Sequence, residues 1–202
     1  MNEQVEEILQ FWFPEASDAA DPDQPTGPEL WFVRSVEVDR EIKRRFGKLV
    51  ERARAGALEP WASSARGRLA LILLLDEFPR HIHGERPEAY ASDAQALQLS
   101  YDGLDEDMDK DLDIPLRAWF YMPAMHAEDA DAQLASVELF SELLDTAPPA
   151  YRTLCEALLR RAERHREVVE RFDRFPHRNH ILDRASTPEE SAFLQTSGDE
   201  LL

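Results

Sequence analysis

Val5, Ile8, Leu9 and Trp12 recur at i, i+3, i+4 and i+7, the spacing that puts four side chains on one face of a helix, and Pro14 ends the stripe. A first helix is predicted over about 3–13. Ile42, Phe46, Leu49, Val50 and Ala53 make a second stripe, which Gly56 closes as a C-terminal cap. Residues 69–75 are apolar on all sides, so periodicity alone fits a buried helix or a buried strand. Leucine richness and the Ser63–Ser64 entry favour a helix, ending before Pro79. Pro87 suits the first turn of another, whose Ala91, Ala94, Leu97 and Tyr101 point one way until Gly103. Pro115 opens a short helix through Trp119 and Tyr121 that Pro123 closes. Leu134, Val137, Phe140, Leu143 and Leu144 mark the next, and Leu154, Leu158, His165, Val168, Val169 and Phe172 the longest, broken at Pro176. Thr187-Pro188-Glu189-Glu190 reads as a capping box that starts a last short helix.

About eight helices joined by short proline or glycine connections imply an all-α stack of antiparallel helical hairpins. Leu and Ala supply 50 of the 202 residues against 19 for Val, Ile and Thr together, which favours helix over sheet because unbranched side chains lose less rotamer freedom there. No repeat of fixed period and no boundary after residue 30 stands out, so a single domain spanning 1–202 is expected. Residues 14–28, with four prolines, Gly27 and several acids, are expected to form a mobile loop.

Charge removes one class of function. With 23 basic and 41 acidic side chains the net charge is −18, and nucleic-acid affinity rests on Lys and Arg neutralising phosphates, so no nucleic-acid partner is expected. The acidic start of the chain lacks a basic targeting signal and the apolar run at 69–75 is far too short for a membrane span, which makes the cytoplasm the default compartment with no membrane partner. Cys155, the single cysteine, lies among leucines as a core thiol. No glycine-rich phosphate loop or nucleophile elbow is present, and no cofactor is expected. Asp105, Asp107 and Asp109 mimic the start of a calcium loop, but Lys110 and Leu116 stand where glycine and glutamate belong, so the acidic run reads as a solvated loop.

The polar residues that could carry chemistry gather in three segments, around Asp76 and Arg80, around His126 and Glu128, and around Arg174, His177, Arg178 and Asn179, with His165 upstream. Residues 151–184 hold nine arginines against six acids, +3 in a chain whose remainder carries −21. Because a guanidinium fork pairs with carboxylate or phosphate, Arg80, His126, Glu128, Arg174, His177, Arg178 and Asn179 are the candidate ligand-binding set for a small anionic ligand or an acidic peptide group. Asp76, Glu128, His126 and His177 are the candidate acid–base groups of a rival hydrolase. A metal held by His126, Glu128, His165 and His177 is chemically possible but not expected. A third reading is an interaction scaffold in which the cluster only locks the fold. Oligomeric state is left open.

The segments Ile8-Leu-Gln-Phe-Trp-Phe-Pro14, Trp31-Phe32, the run from Leu69 through Asp-Glu-Phe-Pro-Arg80, Tyr121-Met-Pro-Ala-Met-His-Ala-Glu-Asp129 and Arg171-Phe-Asp-Arg-Phe-Pro-His-Arg-Asn179 resemble the bacterial domain of unknown function 924 family over nearly the whole chain. The resemblance implies a tetratricopeptide-like helical fold and no assigned reaction. The sequence departs from the family pattern at Glu77 for Gln, at His81 for Asn, and at Asp173 and Asp183 for Gly. The last two replace the residue that makes a tight backbone turn most easily.

Overall fold

In a computed structural model the structure describes residues 2–14, 31 and 35–197. The loop expected at 14–28 falls almost wholly outside them. The described residues are all-helical, and eight helices follow in order. These are α1 (Glu3–Trp12), α2 (Val36–Arg54), α3 (residues 65–83), α4 (Asp93–Asp105), α5 (Ile114–His126), α6 (Ala130–Thr146), α7 (Arg152–Phe172) and α8 (Pro188–Ser197). None of the described helices is long and apolar enough to cross a membrane.

The sequence signals fix many of the ends. Asn2, Ser35, Ser64 and Asp129 accept a backbone N–H in the first turns of α1, α2, α3 and α6, supplying the acceptor that an open helix start lacks. Gly56 ends α2 at φ 73°, as its position after the stripe predicts. Thr187 and Glu190 form the capping box reciprocally: the Glu190 N–H donates to the Thr187 hydroxyl (3.1 Å), and the Thr187 N–H to the Glu190 carboxylate (2.7 Å). Asp173 (φ 56°) and Asp183 (φ 53°) occupy the left-handed region that glycine would favour, so both turns survive their departures from the family pattern. Aspartate is among the few side chains that tolerate this conformation.

α3 corrects the expectation that the apolar run stops before Pro79. It continues as α-helical turns Ala65–Ile72, a π-helical turn Leu73–Glu77 and α-helical turns Phe78–His83. Proline at 79 has no N–H to give the Leu75 carbonyl, and the Ser92 hydroxyl donates to that carbonyl instead, at 2.6 Å. The π turn carries Asp76 and Glu77; such single-turn insertions are frequent at functional sites. α5 likewise passes through Pro123 rather than ending there. Eight successive buried residues, 118–125, outweigh the lost bond, and the Ser100 hydroxyl ties the adjoining turn by donating to the Phe120 carbonyl at 2.7 Å.

α3 is the hub and packs against α1, α2, α4 and α5, while α5, α6 and α7 pack each on the next. The main core holds Trp12, Phe46, Phe78, Trp119, Tyr121 and Phe140. Cys155 is fully buried in it, and burial raises its thiol, which suits an inert core residue. A second small cluster of Val168, Val169, Phe175 and Phe193 closes the C-terminal end. Phe172, on the apolar stripe predicted for the longest helix, is half-buried against this cluster. The α4 stripe is also corrected. Its buried face is the small-residue row Ala96, Ser100 and Gly103, not Ala91, Ala94 and Leu97. Gly103 lets the helix approach Phe120 and Arg68 so closely that a Cβ there would lie 2.5 Å from one ring carbon and 2.6 Å from the arginine stem. Asp109 of the acidic run is spent on the fold, accepting from the Tyr121 hydroxyl (2.5 Å) and from Arg117 (3.2 Å).

Candidate functional site

The face of α4 turned away from the core walls a cavity of about 390 Å³. Tyr90, Asp93, Ala94 and Leu97 form one side, His126 and Glu128 another, and Arg178 and Leu182 the third. Three separate elements therefore meet there. His126 is the last residue of α5, and Glu128 lies in the three-residue link to α6. Gln133 pins that link by donating to the carbonyls of Met125 (2.7 Å) and Ala127 (2.8 Å). Arg178 comes from a short 3-10 turn after α7, whose C-terminal cap is Asp173.

Beneath His126 lies Asp76, only 1 % exposed. Its carboxylate oxygens stand 3.0 and 2.8 Å from His126 Nδ1 and 3.2 Å from Arg80. Burial alone would raise this carboxyl, but the charges of Arg80 and His126 outweigh it and hold it down at about 2. An ionised Asp76 can only accept, so His126 Nδ1 carries the proton and Nε2 is the ring nitrogen without a partner among the described residues. Arg80 also donates to the Asp76 backbone carbonyl. Its fork closes on Asp93 at 3.0 and 2.9 Å. Asp93 shifts the opposite way from Asp76: burial raises it, and neighbouring Asp76 adds to the rise against the pull of Arg80. The two acids share Arg80; Asp76 also has the imidazole at hydrogen-bond distance, whereas the further cation of Asp93 is Arg178 at 3.7 Å.

Glu128 is bound on both oxygens by Arg184, at 2.6 and 2.9 Å, and accepts the Phe175 N–H at 2.8 Å. Burial opposes ionisation there, but these bonds hold the carboxyl below its ordinary range. Arg178 is different. It is 6 % exposed, its nearest acid is Asp93 at 3.7 Å, and its guanidinium donates no hydrogen bond among the described residues. It rests on the rings of Tyr90 and Phe175, 4.7 and 4.5 Å from their centroids. Burial, with Arg80 nearby, lowers its proton affinity, although a guanidinium stays charged at any pH that the fold survives.

Of the residues singled out in the sequence, His126, Glu128 and Arg178 line the cavity, and Asp76 and Arg80 stand directly behind its wall. Arg174 and Asn179 lie elsewhere. Arg174 is clamped on Glu190 at 2.6 and 2.9 Å, and Asn179 donates to Ser186, so both tie α8 to the turn after α7. His177 sits against Phe175, its Nδ1 buried without a partner, and burial with the Arg178 charge pushes it down to about 4. His165, pushed down to about 3 mainly by burial, has Nδ1 2.9 Å from the Arg161 carbonyl. Glu128, His165 and His177 therefore do not assemble with His126 around a common point. Among the described residues the group close enough for a metal is Asp76, Glu77 and His126, with Asp76 already paired to Arg80. Sequence reasoning missed Tyr90, Asp93, Leu182 and Arg184. Asp93 reads as an ordinary acid in a first helical turn, and only its pairing across 13 residues with Arg80 gives it a role.

A larger groove of about 740 Å³ runs past Asn2, Glu6, Trp61, Ser63 and Arg66. Its arginine is already bound to Glu6 at 3.0 Å, so it offers a ligand less charge than the smaller cavity does.

The chain is similar over 95 % of its length to a solved structure of a protein of unknown function, ATU0120 from Agrobacterium tumefaciens. The two are 34 % identical, the match covers 96 % of that chain, and the TM-score is 0.78. No curated protein matches. Residues 8–198 match the model of a family described as bacterial protein of unknown function, DUF924, and this chain belongs to that family.

Proposed function

We propose that this protein binds a small anionic ligand in the cavity between α4, the α5–α6 link and the turn after α7, with Arg178 as the anchor. The observation that carries the reading is the state of Arg178, a buried guanidinium on a cavity wall with a long ion pair and no hydrogen bond among the described residues. A buried charge costs several kcal/mol unless it is paired, so a ligand carboxylate or phosphate would supply what the fold leaves out. Thermal unfolding with acetate, phosphate and larger carboxylates tests it. The reading expects a concentration-dependent rise in melting temperature that Arg178→Gln abolishes, and it fails if none of these anions raises it.

A second reading, acid–base catalysis, has support in the Asp76–His126 pair. Asp76 fixes the imidazole tautomer and leaves Nε2 as a base, the orientation logic of hydrolytic dyads. Asp76 and Glu128 are themselves poor bases because their partners hold them ionised. Among the described residues the cavity lining contains no Ser, Thr or Cys, so the nucleophile would be water. Hydrolysis of para-nitrophenyl esters that His126→Gln abolishes would favour this reading, and equal rates in both proteins would remove it. The scaffold reading has less support, since the exposed large apolar side chains among the described residues are Val36, Leu134 and Tyr151, on different elements. The successive packing of α5, α6 and α7 supports the tetratricopeptide-like architecture that the family resemblance implies.

A further inference from the structure

The helix that forms one wall of the cavity starts without a cap. α4 is 13 residues long and begins at Asp93, and Ser92 stands at its N-cap position without accepting from the first turn. The Ser92 hydroxyl donates to the Leu75 carbonyl freed by Pro79 and accepts from Arg54 at 3.3 Å. The amides of Ala94 and Gln95 consequently have no acceptor among the described residues, and Ala94 lines the cavity. Open amides at a helix start carry partial positive charge and favour an anion. Arg178, nine-tenths buried and without a hydrogen bond among the described residues, lines the same cavity. A helix start and a side chain from a segment some 80 residues away thus offer donors to one space.

We infer that the ligand is a small monocarboxylate with an apolar body, its carboxylate held between Arg178 and the uncapped start of α4. The inference rests on the anion reading above and narrows it. Charge sets the valence. Arg80 and Arg184 are each committed to an acid through both arms of their forks, to Asp93 and Glu128. Among the described residues Arg178 is the arginine lining the cavity, neither arm of its fork donates to an acid, and part of its field already falls on Asp93. One carboxylate matches that remainder. A phosphate dianion would bring two charges towards Asp93 and Glu128, which both face the cavity. The rest of the lining sets the body of the ligand. Pro87, Tyr90, Ala91, Leu97, Ala127 and Leu182 present mostly apolar surface, and 390 Å³ is at the small end of ligand sites. The apolar stripe Ala91, Ala94, Leu97 is then a binding wall, which explains why it faces away from the core.

Titration calorimetry on the whole chain with hexanoate, acetate, inorganic phosphate and hexan-1-ol tests the inference. Hexanoate should bind at least about tenfold more tightly than acetate, because its methylenes add buried apolar area, and more tightly than either phosphate or hexanol. Arg178→Gln should weaken hexanoate by about tenfold or more, the weight of a lost charge-assisted hydrogen bond. Because Arg178 is buried, Ala94→Trp at an exposed α4 position provides a second variant; it should fold as the wild type does and lose hexanoate. Phosphate binding that depends on Arg178, with no preference for hexanoate over acetate, would overturn the monocarboxylate assignment and leave the anion reading standing. Hexanoate binding unchanged in both variants would place the ligand elsewhere and overturn it too. Failure of every anion to bind at millimolar concentration would overturn the anion reading, and this inference with it.

Discussion

Replacing Asp76 by Asn keeps the shape of the side chain and removes its charge. In the folded protein the carboxyl is held at about 2 against an ordinary 3.8, because Arg80 and His126 together outweigh the cost of its burial. At ~1.4 kcal/mol per pH unit, that difference corresponds to about 2–3 kcal/mol of stability at neutral pH. The folded-state value lies below the unfolded one, so the contribution is present above about pH 4 and is lost as pH falls from about 4 towards 2. Asp76→Asn should therefore lose about 2–3 kcal/mol in urea unfolding near neutrality, or roughly 5–10 °C in melting temperature for a chain of this size. The gap to the wild type should narrow as the buffer is taken below pH 4. A loss under about 1 kcal/mol, or one of equal size at both ends of the pH range, would refute the argument that ion pairing holds this buried carboxylate.

Three further substitutions probe how the site is built. Gly103→Ala should destabilise by about 1–3 kcal/mol despite the better helix propensity of alanine, since the new methyl would meet Phe120 and Arg68; a stabilised variant in chemical denaturation would show the α4–α5 approach to be looser than described. Ser92→Ala should cost about 1–3 kcal/mol by leaving the buried Leu75 carbonyl without its donor, with an unchanged unfolding midpoint as the contrary result. Glu190→Ala should remove the α8 cap and the partner of Arg174, costing about 1 kcal/mol. Hydrogen exchange should then quicken first in α8, and uniform exchange across the chain would contradict a local lock.

The helices were legible in the sequence because their cores are ordinary: the stripes of α1 and α2 bury the residues their spacing predicts, that of α7 buries Leu158, His165, Val168 and Val169 while leaving Leu154 and Phe172 half-buried, and serine and glycine mark several ends. Pro79 and Pro123 misled because a proline reads as a stop only while its helix must satisfy itself. Here Ser92 satisfies the carbonyl freed by Pro79, and burial carries α5 past Pro123. The α4 stripe misled for another reason. Periodicity reports which side chains share a face, but not whether that face meets the core or a cavity, and the buried row Ala96, Ser100, Gly103 is too small and polar to register as hydrophobic. The candidate site was visible as residue types near helix ends. Which arginine is left with only a long ion pair was not, because Arg80, Arg174, Arg178 and Arg184 look alike until their acids are assigned across 13, 16, 85 and 56 positions.

The most direct test of the central claim, that Arg178 anchors an anion in this cavity, is the anomalous diffraction of crystals grown with para-bromobenzoate. The account predicts the bromine among the apolar walls near Leu97 and Leu182, with the carboxylate within about 2.7–3.0 Å of the Arg178 guanidinium. Bromine at another surface, or in the cavity with its carboxylate turned away from Arg178, would contradict it.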